Sequence, residues 1–153
     1  MTDVFISYST KDEELASELR DRVLSQNLDP FLASVSLPKG EKWAPNIRKA
    51  LREANWVFVL ATPSALASAA VNHEISGAVY GGKNIVPVMV GVSPEQLPDW
   101  LSEYQGIIAD EGDSAAIWEQ VGRVISKIRT EKTTGLLIAA ALAGFAAYCV
   151  LKK

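Results

Sequence analysis

The chain has 153 residues, of which 48% are hydrophobic and 22% are charged, so it can bury the core of one compact domain. Residues 1–130 carry 12 Lys and Arg against 17 Asp and Glu, a net charge of −5, and such an acidic domain lacks the basic face that nucleic-acid binding requires. A single histidine and a single cysteine, Cys149, exclude an intramolecular disulfide and are too few for a cluster of metal ligands.

Short apolar runs rich in β-branched residues alternate along the chain with longer amphipathic stretches. Apolar residues at helical spacing indicate helices, whereas the short runs lack polar alternation and indicate buried strands. The predicted elements are strand 4–8, helix 11–26, strand 28–32, helix 43–53, strand 56–61, helix 68–80, strand 84–90, helix 94–102, strand 106–109 and helix 113–129.

Strands that are buried on both faces and alternate with helices are typical of a parallel sheet covered on both sides. Five such units within residues 1–130 predict one α/β domain, a flavodoxin-like, doubly wound five-stranded parallel sheet. Ligands of such folds bind at the carboxyl ends of the strands. The segments that include the carboxyl ends of the first three predicted strands and the residues after them are therefore the candidates for a functional site. They are residues 7–10, 31–43 and 61–74.

The carboxyl-terminal tail differs from the rest of the chain. Its uncharged run begins at Gly135 and ends at Leu151, and two preceding threonines extend it to residues 133–151. A helix of about 20 apolar residues crosses a bilayer, and lysines flank this run on both sides. A buried helix of the domain would need a polar face, which the run lacks. We therefore expect a transmembrane helix at 133–151, and the absence of signal-peptide features at the amino terminus predicts that the domain lies in the cytosol.

Six segments occur in an order and at a spacing that match one family. They are VFISYS at 4–9, PFL at 30–32, LPKGEKW at 37–43, VFVLATP at 57–63, NHEI at 72–75 and GKNIVPV at 82–88. Together they resemble the sequence boxes of TIR (Toll/interleukin-1 receptor) domains, over residues 4–128. The resemblance implies the same flavodoxin-like fold. It also places the family's BB loop in the segment that begins at Ala33 and ends at Lys42.

Some TIR domains are scaffolds that bind other TIR domains, and others split NAD⁺ into nicotinamide and an ADP-ribose product. The enzymes depend on a glutamate of the third helix, which corresponds here to Glu74. The nicotinamide of NAD⁺ is cationic and leaves as a neutral molecule, so one carboxylate that stabilises the oxocarbenium-like sugar can be sufficient. The resemblance therefore implies an NAD⁺ hydrolase or cyclase with Glu74 as the catalytic residue, NAD⁺ as substrate, and no cofactor or metal.

Four further residues are candidates for substrate binding. Ser9 and Thr10 match positions at which relatives contact the dinucleotide, although Thr10 is also suited to be the N-cap of the first helix. Lys39 in the BB loop faces a phosphate, a neighbouring TIR domain or solvent. Trp43 forms an apolar wall of the site or packs in the core.

Two positions depart from the pattern of the NAD-cleaving relatives. Ala70 lies four residues before Glu74, where those enzymes often carry tryptophan on the same helix face, and Ala33 stands where many relatives have an acidic residue. The missing tryptophan favours the alternative function, a non-enzymatic adaptor that recruits other TIR proteins to a membrane. In both functions the expected partners are other TIR domains, which bind through the BB loop to form a homo-oligomer. The family implies a role in immune or antiphage-type defence.

Overall fold

The computed structural model describes residues 1–34, 44–67, 82–109 and 113–151 of the chain. Within these ranges it has five strands, five α-helices and two 3₁₀ turns, at Thr10–Asp12 and Pro94–Gln96. The strands are β1 (Val4–Tyr8), β2 (Pro30–Ser34), β3 (Trp56–Ala61), β4 (Asn84–Val90) and β5 (Ile107–Ala109). The helices are α1 (Glu13–Leu24), α2 (Pro45–Glu53), α3 (Pro63–Leu66), α4 (Asp99–Ser102) and α5 (Ser114–Leu151).

The five strands form one parallel sheet in the order β2-β1-β3-β4-β5. Val4 at the start of β1 pairs with Pro30 of β2 on one side and with Trp56 of β3 on the other. Helices α1 and α5 contribute to the core on one face of the sheet, whereas α2 and α4 contribute to the core on the opposite face. This arrangement confirms the predicted flavodoxin-like, doubly wound fold.

Strand β3 lies at the centre of the sheet, and all six of its residues are buried. Its side chains alternate between the two cores. Val57, Val59 and Ala61 pack in the core formed with α2 and α4. Trp56, Phe58 and Leu60 pack in the core formed with α1 and α5. The strand is apolar at every position because both of its faces are covered.

Strand β2 begins two residues later than the predicted strand 28–32. Asn27 has a φ of +57°, and the Leu28 N–H donates to the carbonyl of Val23, so Leu28 still belongs to the turn that ends α1. The strand extends to residue 34, which pairs with Tyr8 at the end of β1. Ala33, which was expected to open the BB loop, is instead a buried residue of β2.

The helix predicted at 94–102 is divided into a 3₁₀ turn and α4. Pro98 disfavours a helical conformation of the residue before it, and Leu97 has an extended backbone with ψ of 143°. The predicted helix 68–80 lies outside the described residues. The helix predicted at 113–129 does not end there, because α5 continues without a break through the tail.

Helix α5 crosses the sheet from its carboxyl edge to its amino edge, where two contacts fix it. The indole Nε1 of Trp56, the first residue of β3, donates to Glu131 Oε2 at 3.1 Å. Lys132 Nζ lies 2.7 Å from Asp3 Oδ2, just before β1. Beyond these contacts every residue through 147 is exposed. The tail therefore leaves the domain at the amino edge, opposite to the carboxyl ends of the strands.

In the part of the chain that the structure describes, no helix is long and apolar enough to cross a membrane. The side chains of α5 are described as far as residue 147. The transmembrane helix expected at 133–151 is therefore not supported.

Removal of residues 133–153 should leave the domain folded, because the described side chains of this segment are exposed and the two contacts that fix α5 lie before it. We expect a change in the free energy of unfolding of no more than about 0.5 kcal/mol, the usual range for surface changes. Urea denaturation of the truncated chain measures this change. Precipitation or cooperative destabilisation of the truncated chain would show that the tail belongs to the core.

Gly106→Ala should destabilise the domain, because a Cβ at this position would lie 2.6 Å from Met89 Cε and 2.8 Å from the Pro87 carbonyl oxygen of the neighbouring strand. We expect a loss of about 1–3 kcal/mol, as for other overpacked sites. Gly122→Ala on α5 is the matched control, since nothing lies within 4 Å of its added Cβ. Helix propensity should make the control neutral or stabilising by up to about 1 kcal/mol. Equal urea midpoints for both variants would contradict this account of the β4–β5 edge.

Candidate functional site

The order of the strands reverses between β1 and β3, since the chain moves from β1 outward to β2 and then crosses to the other side of β1. In open α/β sheets, ligands bind at the carboxyl ends of the two strands that flank such a reversal. The structure describes the segments that follow both strands, at 9–12 and at 62–67. We take this edge of the sheet, which we call the switch-point crevice, as the candidate functional site.

The segment after β1 is organised by Ser9. Its side chain is buried, and its Oγ accepts a hydrogen bond of 3.4 Å from the Lys11 N–H. Its carbonyl accepts a second bond of 2.8 Å from the Asp12 N–H. Ser9 is thus the N-cap of the 3₁₀ turn, and Asp12 occupies the N-cap position of α1. The prediction that Thr10 is the N-cap of the first helix is wrong, because Thr10 lies inside the turn, where its side chain is exposed.

The segment after β3 is organised by Thr62, which is also buried. Its Oγ1 accepts a hydrogen bond of 3.1 Å from the Ala65 N–H and so caps α3. Pro63 occupies the first position of this helix, where its fixed φ is favourable and its missing N–H has no consequence. The short helix therefore begins directly at the end of the central strand.

A hydrogen bond joins these two segments. Thr62 Oγ1 donates to Asp12 Oδ2 at 2.5 Å, across 50 residues of sequence. The same hydroxyl therefore caps α3 as an acceptor and holds the segment after β1 as a donor. Our interpretation of the sequence did not assign a role to Thr62. A signal was present, since threonine followed by proline directly after an apolar strand is typical of a helix N-terminus.

The described part of the crevice can bind and orient a polar ligand. Its buried hydroxyls, those of Ser9 and Thr62, fix the backbone, and exposed Thr10 and Lys11 place a hydroxyl and a cation at the rim. The Asp12 carboxylate accepts the Thr62 hydrogen bond. Hydroxyl and ammonium groups of this kind can donate hydrogen bonds to a polar or anionic ligand.

Of the residues predicted for the site, the structure places Ser9 and Thr10 together at the carboxyl end of β1. Glu74, Lys39 and Trp43 lie outside the described residues, and so does Ala70. Their roles stay predictions.

Comparisons with known proteins agree with the fold described above. The sequence model of the family described as "TIR domain" matches residues 4–121. No curated protein matches the sequence significantly. A structure of a metazoan TIR-STING receptor from C. gigas, in complex with 2',3'-cGAMP, is similar, with 25% identity and a TM-score of 0.62. The match covers 80% of this chain and 39% of the receptor, so this chain corresponds to well under half of that protein.

Two isolated TIR-domain structures share the fold over their whole length. The TIR domain of the Toll-related receptor TRR-2 from Hydra magnipapillata matches with 19% identity and a TM-score of 0.62, covering 82% of this chain and 99% of that chain. A chain of the RPS4 and RRS1 TIR domain heterodimer matches with 16% identity and a TM-score of 0.62, covering 85% of this chain and 99% of that chain. The family model extends over most of the 153 residues, from β1 into α5, and the chain therefore belongs to the TIR domain family.

Proposed function

We propose that this TIR domain cleaves NAD⁺ at the switch-point crevice, releasing nicotinamide and giving ADP-ribose or a cyclic ADP-ribose. The observation that carries the proposal is the set of polar side chains at the ends of β1 and β3. Buried Ser9 and Thr62 stabilise the ends of the two strands that flank the reversal of strand order, and Thr10 is exposed in the turn after β1. TIR domains include NAD-cleaving enzymes, and the family glutamate corresponds to Glu74, which follows Thr62 by twelve positions.

The chemistry requires little beyond one carboxylate. Cleavage of the bond between nicotinamide and ribose releases a neutral base from a cation, so the leaving group needs no proton. Positive charge develops on the ribose as the bond lengthens, and a carboxylate held close to the sugar stabilises that charge. In the proposal Glu74 provides this carboxylate, and Ser9, Thr10, Lys39 and Trp43 hold the dinucleotide. Water or a base of the substrate then attacks the sugar, which gives the linear or the cyclic product.

Self-assembly is the second part of the proposal. The RPS4 and RRS1 TIR domains form a heterodimer. We propose that this chain forms homo-oligomers through its BB loop, which completes the site of the neighbouring subunit, and that assembly activates the enzyme in immune or antiphage-type defence. Any contact that concentrates the domain should favour assembly.

The localisation predicted from the sequence, in the cytosol and at a membrane, also remains a proposal. Its support is the tail, where Leu136, Leu137, Ile138, Leu142 and Phe145 are each at least 57% exposed. An apolar surface of this kind on a helix marks a site of contact with lipid or with another protein. Attachment at this point would hold the switch-point crevice on the far side of the domain.

A non-enzymatic adaptor that recruits other TIR proteins is the second candidate function. Alanine at position 70, in place of the tryptophan that NAD-cleaving relatives often carry, is the observation that favours it. The adaptor would use the BB loop for binding and would require no carboxylate at position 74. The two functions therefore differ in what substitution of Glu74 does.

Glu74→Ala and Glu74→Gln should each reduce nicotinamide release from NAD⁺ by at least about 100-fold, because one electrostatic contact to the developing charge is lost. The assay compares the full-length variants with the wild type at equal protein concentration. Glu103→Gln is the matched control, since Glu103 is an exposed carboxylate that precedes β5 at the amino edge.

Equal release by the wild type and both Glu74 variants would remove this residue from the mechanism. Release by none of the proteins, even when densely clustered on beads, would instead favour the adaptor.

Activity per molecule should rise with protein concentration if assembly completes the site. Lys39→Ala in the BB loop should shift this rise to concentrations at least about fivefold higher, because a contact between subunits is weakened. Lys49→Ala on α2 is the control, since the Lys49 side chain is 71% exposed and its ammonium pairs only with Glu53 among the described residues. A constant activity per molecule across a 100-fold dilution series of the wild type, chosen to cross the assembly range, would contradict activation by assembly.

A further inference from the structure

We propose that Asp12 and Thr62 are a positioning pair for the NAD⁺ site, holding the substrate-binding segment after β1 in register with the segment after β3. This inference rests on the proposed function. It concerns residues to which neither the family resemblance nor the comparisons assign a role. Both residues lie in the described part of the chain, on the two sides of the reversal of strand order.

The hydroxyl of Thr62 is both a hydrogen-bond acceptor and a donor. A threonine cap needs only to accept a hydrogen bond from the helix, as Oγ1 does from Ala65 N–H. Here the hydroxyl proton is also used, in the short bond to Asp12 Oδ2. The side chain of Thr62 is buried, and a hydrogen bond to a charged acceptor is stronger than one between neutral groups. The bond therefore joins the segment that follows β1 to the segment that follows β3.

Asp12 is bound directly to Ser9 by a backbone hydrogen bond. The Asp12 N–H donates to the Ser9 carbonyl, and the Lys11 N–H donates to Ser9 Oγ. The turn that carries Thr10 is thus closed at both ends, by Ser9 at its start and by Asp12 at its finish. A displacement of Asp12 would move the candidate substrate-binding residues, while the strands beneath them stay paired.

The amino edge of the sheet contains a comparable carboxylate that serves as a control. Asp3 Oδ2 accepts hydrogen bonds from Asp29 N–H at 2.8 Å and from Lys132 Nζ at 2.7 Å. It joins the starts of β1 and β2, at the opposite end of the sheet from the crevice. Its loss should affect stability but not the geometry of the site.

The test measures nicotinamide release, the free energy of unfolding and hydrogen exchange on the full chain, for Thr62→Val, Thr62→Ser, Asp12→Ala and Asp3→Ala. We expect Thr62→Val and Asp12→Ala to lower kcat/KM by about tenfold or more, because a small displacement of substrate-positioning groups strongly reduces the rate. Thr62→Ser retains both hydrogen bonds and should remain within about twofold of the wild type. Asp3→Ala should lose stability without a loss of kcat/KM.

Hydrogen exchange keeps this inference separate from the proposed function. Peptides covering 9–13 and 62–67 should exchange faster in Thr62→Val and Asp12→Ala, but not in Asp3→Ala. Wild-type protein that releases no nicotinamide would overturn the proposed function, whereas faster exchange in both peptides would still support the coupling of the two segments. Unchanged exchange in these peptides would overturn the positioning pair. An unchanged kcat/KM in Thr62→Val of an active enzyme would overturn it as well.

Discussion

The structure depends on the burial of β3, whose backbone is paired on both sides and whose side chains are covered on both faces. A buried strand can satisfy its backbone N–H and carbonyl groups only through neighbouring strands, and its side chains must then be apolar. Polar chemistry is consequently excluded from the middle of the sheet. It is restricted to the points at which strands end, where the chain turns and helices begin.

The switch-point crevice shows how this constraint produces a site. At the ends of β1 and β3, two hydroxyl side chains are buried because local hydrogen bonds satisfy them: Ser9 caps a turn, and Thr62 caps a helix. The bond between Thr62 and Asp12 then joins the two ends. Buried polar groups of this kind are costly unless paired, so a paired set specifies one geometry. A substrate that binds here meets groups that are already in place.

The opposite edge of the sheet connects the domain to its tail. Glu131 and Lys132 of α5 bind Trp56 and Asp3 at the starts of β3 and β1, and the helix then continues into the apolar tail. The switch-point crevice and the exposed apolar tail therefore lie at opposite edges of the sheet.

The sequence alone determined the architecture, because apolar strands without alternation, separated by amphipathic helices, are typical of a parallel sheet covered on both faces, and five such units are too few for an eight-stranded barrel. It also placed Ser9 and Thr10 at the carboxyl end of β1, because the first apolar run ends at Tyr8. Only the tertiary structure decided where β2 begins, because the left-handed conformation of Asn27 delays the strand. It also showed that the last helix continues into the tail. It alone also brought Asp12 to Thr62, because a contact across 50 residues follows from the order of the strands and not from any local pattern.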